Sequence, residues 1–133
     1  MKKTRRRFFS LLEMMVVIAI IGALAGMMIV NFTQSAEQAN VDITKQTIRS
    51  VESVLKMYKL QKKSYPSTDE GLDILYSEKM LESRPLDAWG NPLQYQYPGS
   101  RDLPFDIWSL GADNMDGGEG FDADIFNGEE EST

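Results

Sequence analysis

Between Asp113 and Asp124 the chain places five acids, Asp113, Asp116, Glu119, Asp122 and Asp124, and three glycines, Gly117, Gly118 and Gly120, within twelve residues. Like charges at this density repel unless a cation gathers them. Carboxylates, together with main-chain carbonyls that glycines allow to turn inward, form the flexible oxygen donor set that Ca²⁺ takes, with roughly six to eight ligands at about 2.3–2.6 Å. Mg²⁺ demands stricter octahedral geometry. The spacing does not follow the EF-hand pattern, so a site here is irregular, and a solvated acidic loop is the alternative that composition leaves open. A hydrolytic pair of carboxyls must be held apart across a substrate cleft, which a glycine-rich loop does not do. The chain has no Cys and no His, which excludes disulfides, thiolate nucleophiles, Ser-His-Asp arrangements and the usual zinc sites. Any metal is held by oxygen, and the chain reads as a non-enzyme.

Glu13 is the second residue with a chemical question attached. It stands at the head of the seventeen-residue run from Met14 to Val30, behind Lys2, Lys3, Arg5, Arg6 and Arg7. A carboxylate carried into lipid costs several kcal/mol unless a cation meets it, so an acid kept there reads as a functional site. The run approaches the ~20 residues needed to span a bilayer, longer than the core of an ordinary secretory signal peptide. The remainder of the chain holds 9 basic against 20 acidic residues, a net of −11. This asymmetry predicts a cytoplasmic N-terminus and an acidic domain across the membrane, and it argues against nucleic acid as a partner.

The elements that must position these residues follow from periodicity and breakers. No Pro occurs from Phe9 to about Lys63, and the only glycines there, Gly22 and Gly26, lie in the apolar run. One long helix is predicted, a rod of roughly 80 Å at about 1.5 Å per residue. Its second half is amphipathic, with Val41, Ile48, Val51, Leu55 and Tyr58 at three- and four-residue steps. Pro66 ends it, and Ser67-Thr68-Asp69-Glu70 offers a capping box for a short helix over 68–77, with Leu72, Leu75 and Tyr76 inward. Leu93–Tyr97 and Phe105–Ser109 alternate with period two and predict two antiparallel strands joined through Pro98-Gly99. The aromatic residues Trp89, Tyr95, Tyr97, Phe105 and Trp108 read as core rather than as a stacking platform. The fold class is α+β, a long helix on a small antiparallel sheet.

Two sets of residues carry a family resemblance. Phe9-Ser10-Leu11-Leu12-Glu13 behind a basic leader resembles the start of type IV pilin-like precursors, whose leader is cut before a Phe. Tyr65-Pro66-Ser67-Thr68, Glu70-Gly71-Leu72, Asp87-Ala88-Trp89-Gly90-Asn91-Pro92 and Ser109-Leu110-Gly111-Ala112-Asp113 are similar, in order, to segments of the major pseudopilins of type II secretion systems. The chain departs from the pattern at Phe8, where the family places Gly, at Ala88 for Pro, and at Asn114 for Gly.

The resemblance implies a type IV pilin-like fold with a C-terminal calcium-binding loop, in four parts: a basic leader over 1–8, a membrane and polymerisation helix over 9–31, a periplasmic domain over 32–128 and an acidic tail over 129–133. It implies cleavage between Phe8 and Phe9 by a prepilin peptidase and methylation of the new amino group of Phe9, which pairs with Glu13 of a neighbouring copy. It implies calcium held by Asp113 and Asp124, with Asp122 as an alternative side-chain ligand and Ser109 and Leu110 as carbonyl donors. The implied function is that of a structural subunit, inserted once in the inner membrane, that polymerises with itself into a periplasmic filament driving the export of folded proteins. Minor pseudopilins and the inner-membrane assembly platform are the other implied partners. A type IV pilin for adhesion, motility or DNA uptake and a monomeric, membrane-anchored calcium-dependent binding module are the alternatives.

Overall fold

The computed structural model describes residues 8–129, so most of the basic leader and all but Glu129 of the acidic tail lie outside the described residues. Helix α1 spans Leu11–Lys62 as predicted. Ser10 caps it: the Glu13 N–H donates to Ser10 Oγ at 3.1 Å, which satisfies one of the free amides of the first turn. At the other end the Lys63 N–H closes on the Lys59 carbonyl, and Lys63 itself turns left-handed at φ 71°, which stops the helix before Tyr65-Pro66.

The chain divides within α1 into two compact units, one reaching Ala36 and the other beginning at Glu37. In the first, every described side chain through Ser35 is exposed, including the apolar run, so among the described residues nothing covers that run. In the second, α1 buries Thr44, Ile48, Val51, Leu55 and Tyr58, one face at three- and four-residue spacing. Fully burying side chains such as Ile48 and Leu55 contributes about 1.5–3 kcal/mol each.

The sheet under this face has three antiparallel strands in the order β1 (Gln94–Gln96), β2 (Asp106–Ser109), β3 (Ile125–Phe126). Tyr95 pairs with Ile107, and Ser109 with Ile125, and these four face the core that Leu72, Leu75, Leu93 and Phe105 complete. β3 was not foreseen, since two residues of pairing leave no periodic signal. Asn127 extends its edge by accepting from the Ile107 N–H and donating to the Phe105 carbonyl and Glu52.

Three expectations need correction. The helix expected over 68–77 is a turn followed by α2 (Asp73–Ser77), because Gly71 sits at φ 59° and interrupts the helical path. The capping box itself forms: the Ser67 N–H donates to Glu70 Oε2 at 2.8 Å and the Glu70 N–H to Ser67 Oγ at 3.3 Å. Tyr76 lies outside, 45% exposed beside Arg84, while Leu72 and Leu75 face in. Trp108 lies on the outer face of the sheet, half-buried and stacked on Phe126 at 5.6 Å, because its neighbour Ile107 takes the inward position on a strand of period two. Tyr95 and Phe105 are core as predicted, whereas Trp89 and Tyr97 are half-buried against its edge.

Candidate functional site

The acidic loop leaves the end of β2 at Ser109 and returns into β3 at Ile125. Its first residue is fixed by a buried carboxylate. Asp87 is 6% exposed and Ser109 fully buried, and Ser109 Oγ donates to Asp87 Oδ2 at 2.7 Å while accepting from the Gly111 N–H at 3.2 Å. The other oxygen, Asp87 Oδ1, accepts from the main-chain N–H groups of Trp89 and Asn91 at 3.1 and 2.8 Å. One side chain therefore ties the 87–91 turn to the root of the acidic loop.

That turn is in turn held on α1. The Ala88 N–H donates to the buried Thr44 hydroxyl at 3.1 Å, and Trp89 Nε1 donates to Glu37 Oε2 at 2.8 Å. Thr44 sits in the core face of an amphipathic helix where an apolar residue is expected, and this bond is the reason a hydroxyl is tolerated there.

The loop then folds back on itself. The Ala112 N–H donates to the Phe121 carbonyl at 2.9 Å, closing the loop near its base. Gly111, at φ 71°, has the Asp122 carbonyl where a Cβ would sit, 2.6 Å away, and Gly118, at φ 88–90° like its neighbour Gly117, has the same carbonyl 2.5 Å from the corresponding point. Only glycine fits either place.

The sequence-predicted ligands divide within this frame. Asp124 is half-buried; its Oδ2 accepts from the Gly117 N–H at 3.1 Å, and its Oδ1 is buried without a hydrogen-bond partner. Asp113 is exposed and its Oδ1 accepts from the Met115 N–H at 3.0 Å. Asp122 is exposed, and its main chain packs on Gly111 and Gly118. Ser109 and Leu110 stand at the loop's root, buried and half-buried respectively. Among the described residues no three acidic side chains converge as a metal-binding group. A cation here would draw on main-chain carbonyls for most of its ligands. The orphaned Asp124 Oδ1 is the observation that fits one, since a buried carboxylate oxygen left unpaired costs about 1–3 kcal/mol or more. Calcium suits the mixed carboxylate and carbonyl set.

At the other predicted site, Phe8 and Phe9 are 89% and 72% exposed, and Glu13 is exposed in the first turn of α1, where a negative charge also suits the helix dipole.

Sequence reasoning singled out the Asp87 segment only as a family motif and Ser109 as a motif residue and carbonyl donor, and it missed the bond between the two, Thr44 and Glu37. A carboxylate inside a turn sequence such as Asp87-Ala88-Trp89-Gly90-Asn91 was the available signal, because Asp commonly accepts from the amides that follow it.

A family model described as type II secretion system (T2SS), protein G matches residues 31–128. The type II secretion system core protein G of Pseudomonas aeruginosa is 39% identical, over 96% of this chain and 98% of the relative. The core protein G of Vibrio cholerae is also 39% identical, over 96% and 95% of the two chains. The crystal structure of the major pseudopilin from the type 2 secretion system of enterohaemorrhagic Escherichia coli superposes with a TM-score of 0.58 at 28% identity, covering 73% of this chain and 93% of that one. The long helix on a three-stranded antiparallel sheet, the matched segments and relatives of this identity along nearly the whole length agree: the chain belongs to the type II secretion system protein G family.

Proposed function

We infer that this chain is the major structural subunit of a type II secretion pseudopilus. It is not an enzyme. The observation that carries the reading is the apolar first part of α1, long enough to cross a membrane and uncovered by any described residue, on a sequence of the protein G family. Such a helix needs lipid before assembly and copies of itself afterwards. The chain is thus a membrane-anchored secretion component with one N-terminal span.

Beyond this, the basic leader faces the cytoplasm and the acidic domain the periplasm, by the charge asymmetry of the sequence. A prepilin peptidase cuts between Phe8 and Phe9, and methylation of Phe9 follows. The amino group of Phe9 meets Glu13 of a neighbouring copy, so that two charges enter the filament core as a pair. Subunits add at an inner-membrane platform, minor pseudopilins join the filament, and its growth moves folded proteins outward.

Calcium is the proposed resident ion of the acidic loop. Asp124 and Asp113 supply carboxylate oxygens, with Asp122 as the alternative, and Ser109 and Leu110 supply carbonyls. The ion contributes charge neutralisation among five acids; the chain's own residues do the rest by fixing the loop's root through Asp87.

The test is deletion of this chain's gene from its host and assay of exported proteins in the medium. Export should stop, return with the full chain and fail to return with Glu13→Ala. Undiminished export after deletion would overturn the reading.

A further inference from the structure

The charges of the second unit are sorted along the chain. C-terminal to Arg101 there are ten acids and no Lys or Arg, whereas Lys45 to Lys63 contains six cations and the single acid Glu52. A polymer of such units must set like charge against like unless its contacts match one region with the other.

On α1 the core face is flanked on one side by Ile43, Thr47, Ser50, Val54 and Met57, none of them charged, and on the other by Lys45, Arg49, Glu52, Lys56 and Lys59, with Lys63 just past the end. At the N-terminal end of this charged flank acids lie close by: Glu52 and Glu129 line the same cavity, of about 240 Å³, as Lys45 and Arg49, and Glu129 pairs with Arg101 at 3.5 Å. The excess positive charge is at the other end. Lys56, Lys59 and Lys63 are exposed near Leu60, which is 77% exposed, and of these Lys59 places its Nζ 4.7 Å over the Tyr65 ring. Lys62, close by, is paired with Glu78 at 3.0 Å.

The acidic loop has the complementary layout. Asp113, Asp116 and Glu119 are exposed around Met115, which is 65% exposed. An exposed large apolar side chain with exposed acids near it in sequence is thus present on the same molecule as one with exposed lysines near it in sequence. Neither is covered by any described residue.

We propose that the Lys56–Leu60–Lys63 end of α1 is the docking surface for the Asp113–Glu119 loop of a second copy of this chain, Met115 against Leu60 with the lysines and acids around them. The inference deepens the filament reading and rests on it. Two different patches meet, so the contact is heterologous, the type that builds an open filament wherever its rotation does not close into a ring. Exposed ion pairs contribute little singly, but a matched set fixes register and rejects wrong neighbours. The acids in question are the loop's outer ones, so a cation held by Asp124 within the loop leaves Asp116 and Glu119 available for the contact.

The full chain is tested in cells that assemble it. Lys56→Glu with Lys63→Glu, and separately Asp116→Lys with Glu119→Lys, should each lower filament yield by about tenfold or more, and the chain carrying all four should recover to within about twofold. Because the protein has no Cys, a Leu60→Cys chain co-expressed with a Met115→Cys chain should give a disulfide-linked pair on mild oxidation. Recovery together with the cross-link supports the contact. Normal filaments from both reversed chains with no cross-link overturn it and leave the filament reading standing. Loss of assembly with the lysine reversals that the acid reversals do not rescue also overturns it, assigning those lysines to another partner such as an anionic lipid surface. No filaments from any chain, the unsubstituted one included, overturn the filament reading and this contact with it.

Discussion

Ser109 Oγ donates to Asp87 Oδ2 at 2.7 Å, and this bond joins two segments 22 residues apart in the chain. Asp87 organises its own turn through the amides of Trp89 and Asn91, and Ser109 passes the constraint to the Gly111 amide. The acidic loop is therefore held at its root by polar bonds that are buried or half-buried, where each is stronger than in water and costlier to leave unmade.

Asp87→Ala strips three donors of their acceptor at once. The expected loss is about 3 kcal/mol, seen as a fall in melting temperature of roughly 15 °C for a domain of this size. Thermal melting by circular dichroism of the full chain in detergent checks it, with Asp69→Ala, an exposed acid, as the control expected to stay within about 0.5 kcal/mol.

The Glu70 carboxyl is held below its ordinary value of 4.5, first by the hydrogen bond from the Ser67 amide and then by that from the Ser67 hydroxyl. A carboxyl lowered on folding stabilises the protein above its unfolded value and ceases to do so as pH falls through the folded one. Wild type should therefore lose melting temperature faster than Glu70→Gln as pH is lowered below about 4.5. Parallel melting curves for the two would show that the capping box does not form in solution.

Tyr95 behaves with the opposite sign. Burial, foremost, pushes its hydroxyl well above the ordinary 10.0, and the hydroxyl donates to the Pro66 carbonyl at 2.8 Å. A raised value favours the protonated form in the fold, so its contribution is complete below pH 10 and is lost as pH rises above it. Tyr95→Phe should cost about 1 kcal/mol near neutrality and flatten the alkaline fall in melting temperature. Absorbance titration near 295 nm, where tyrosinate absorbs, gives an independent reading.

If calcium fills the acidic loop, chelation should lower the melting temperature of wild type but not of Asp124→Ala, whose orphaned oxygen is gone. Isothermal titration should find one ion per chain, lost in Asp124→Ala and weakened in Asp113→Ala. Gly111→Ala, which drives a Cβ against the Asp122 carbonyl, should weaken binding without removing any carboxylate. Equal melting with and without chelator in all four chains would remove calcium from the account.

Much of this fold was legible because its signals are long or repeated. The helix from Leu11 to Lys62 follows from the absence of Pro and the spacing of Ile48, Val51, Leu55 and Tyr58. β1 and β2 follow from alternation, and the turn after Pro66 follows from Ser67 and Glu70. What stayed hidden depends on partners far away in sequence. β3 is two residues long and exists because β2 offers an edge. Thr44 reads as a flaw in an apolar face until the Ala88 amide is placed against it. Tyr76 follows the helical period inward on paper, but of that set only Leu72 and Leu75 are buried, and Tyr76 lies 45% exposed beside Arg84. The acids and glycines of the loop were visible from composition, whereas the dependence of its root on Asp87 was not, since nothing local pairs residue 87 with residue 109.

The most direct test of the central claim, that this is a polymerising subunit, is electron microscopy and shearing of cells expressing the full chain or Glu13→Ala alongside the secretion machinery. The account predicts filaments from the unsubstituted chain and none from Glu13→Ala, with both chains found in the membrane at equal amounts and the folded domain melting alike. Filaments of equal number and length from Glu13→Ala would contradict the pairing of Glu13 with a neighbour's N-terminus, and a membrane-inserted wild-type chain that never assembles would contradict the claim itself.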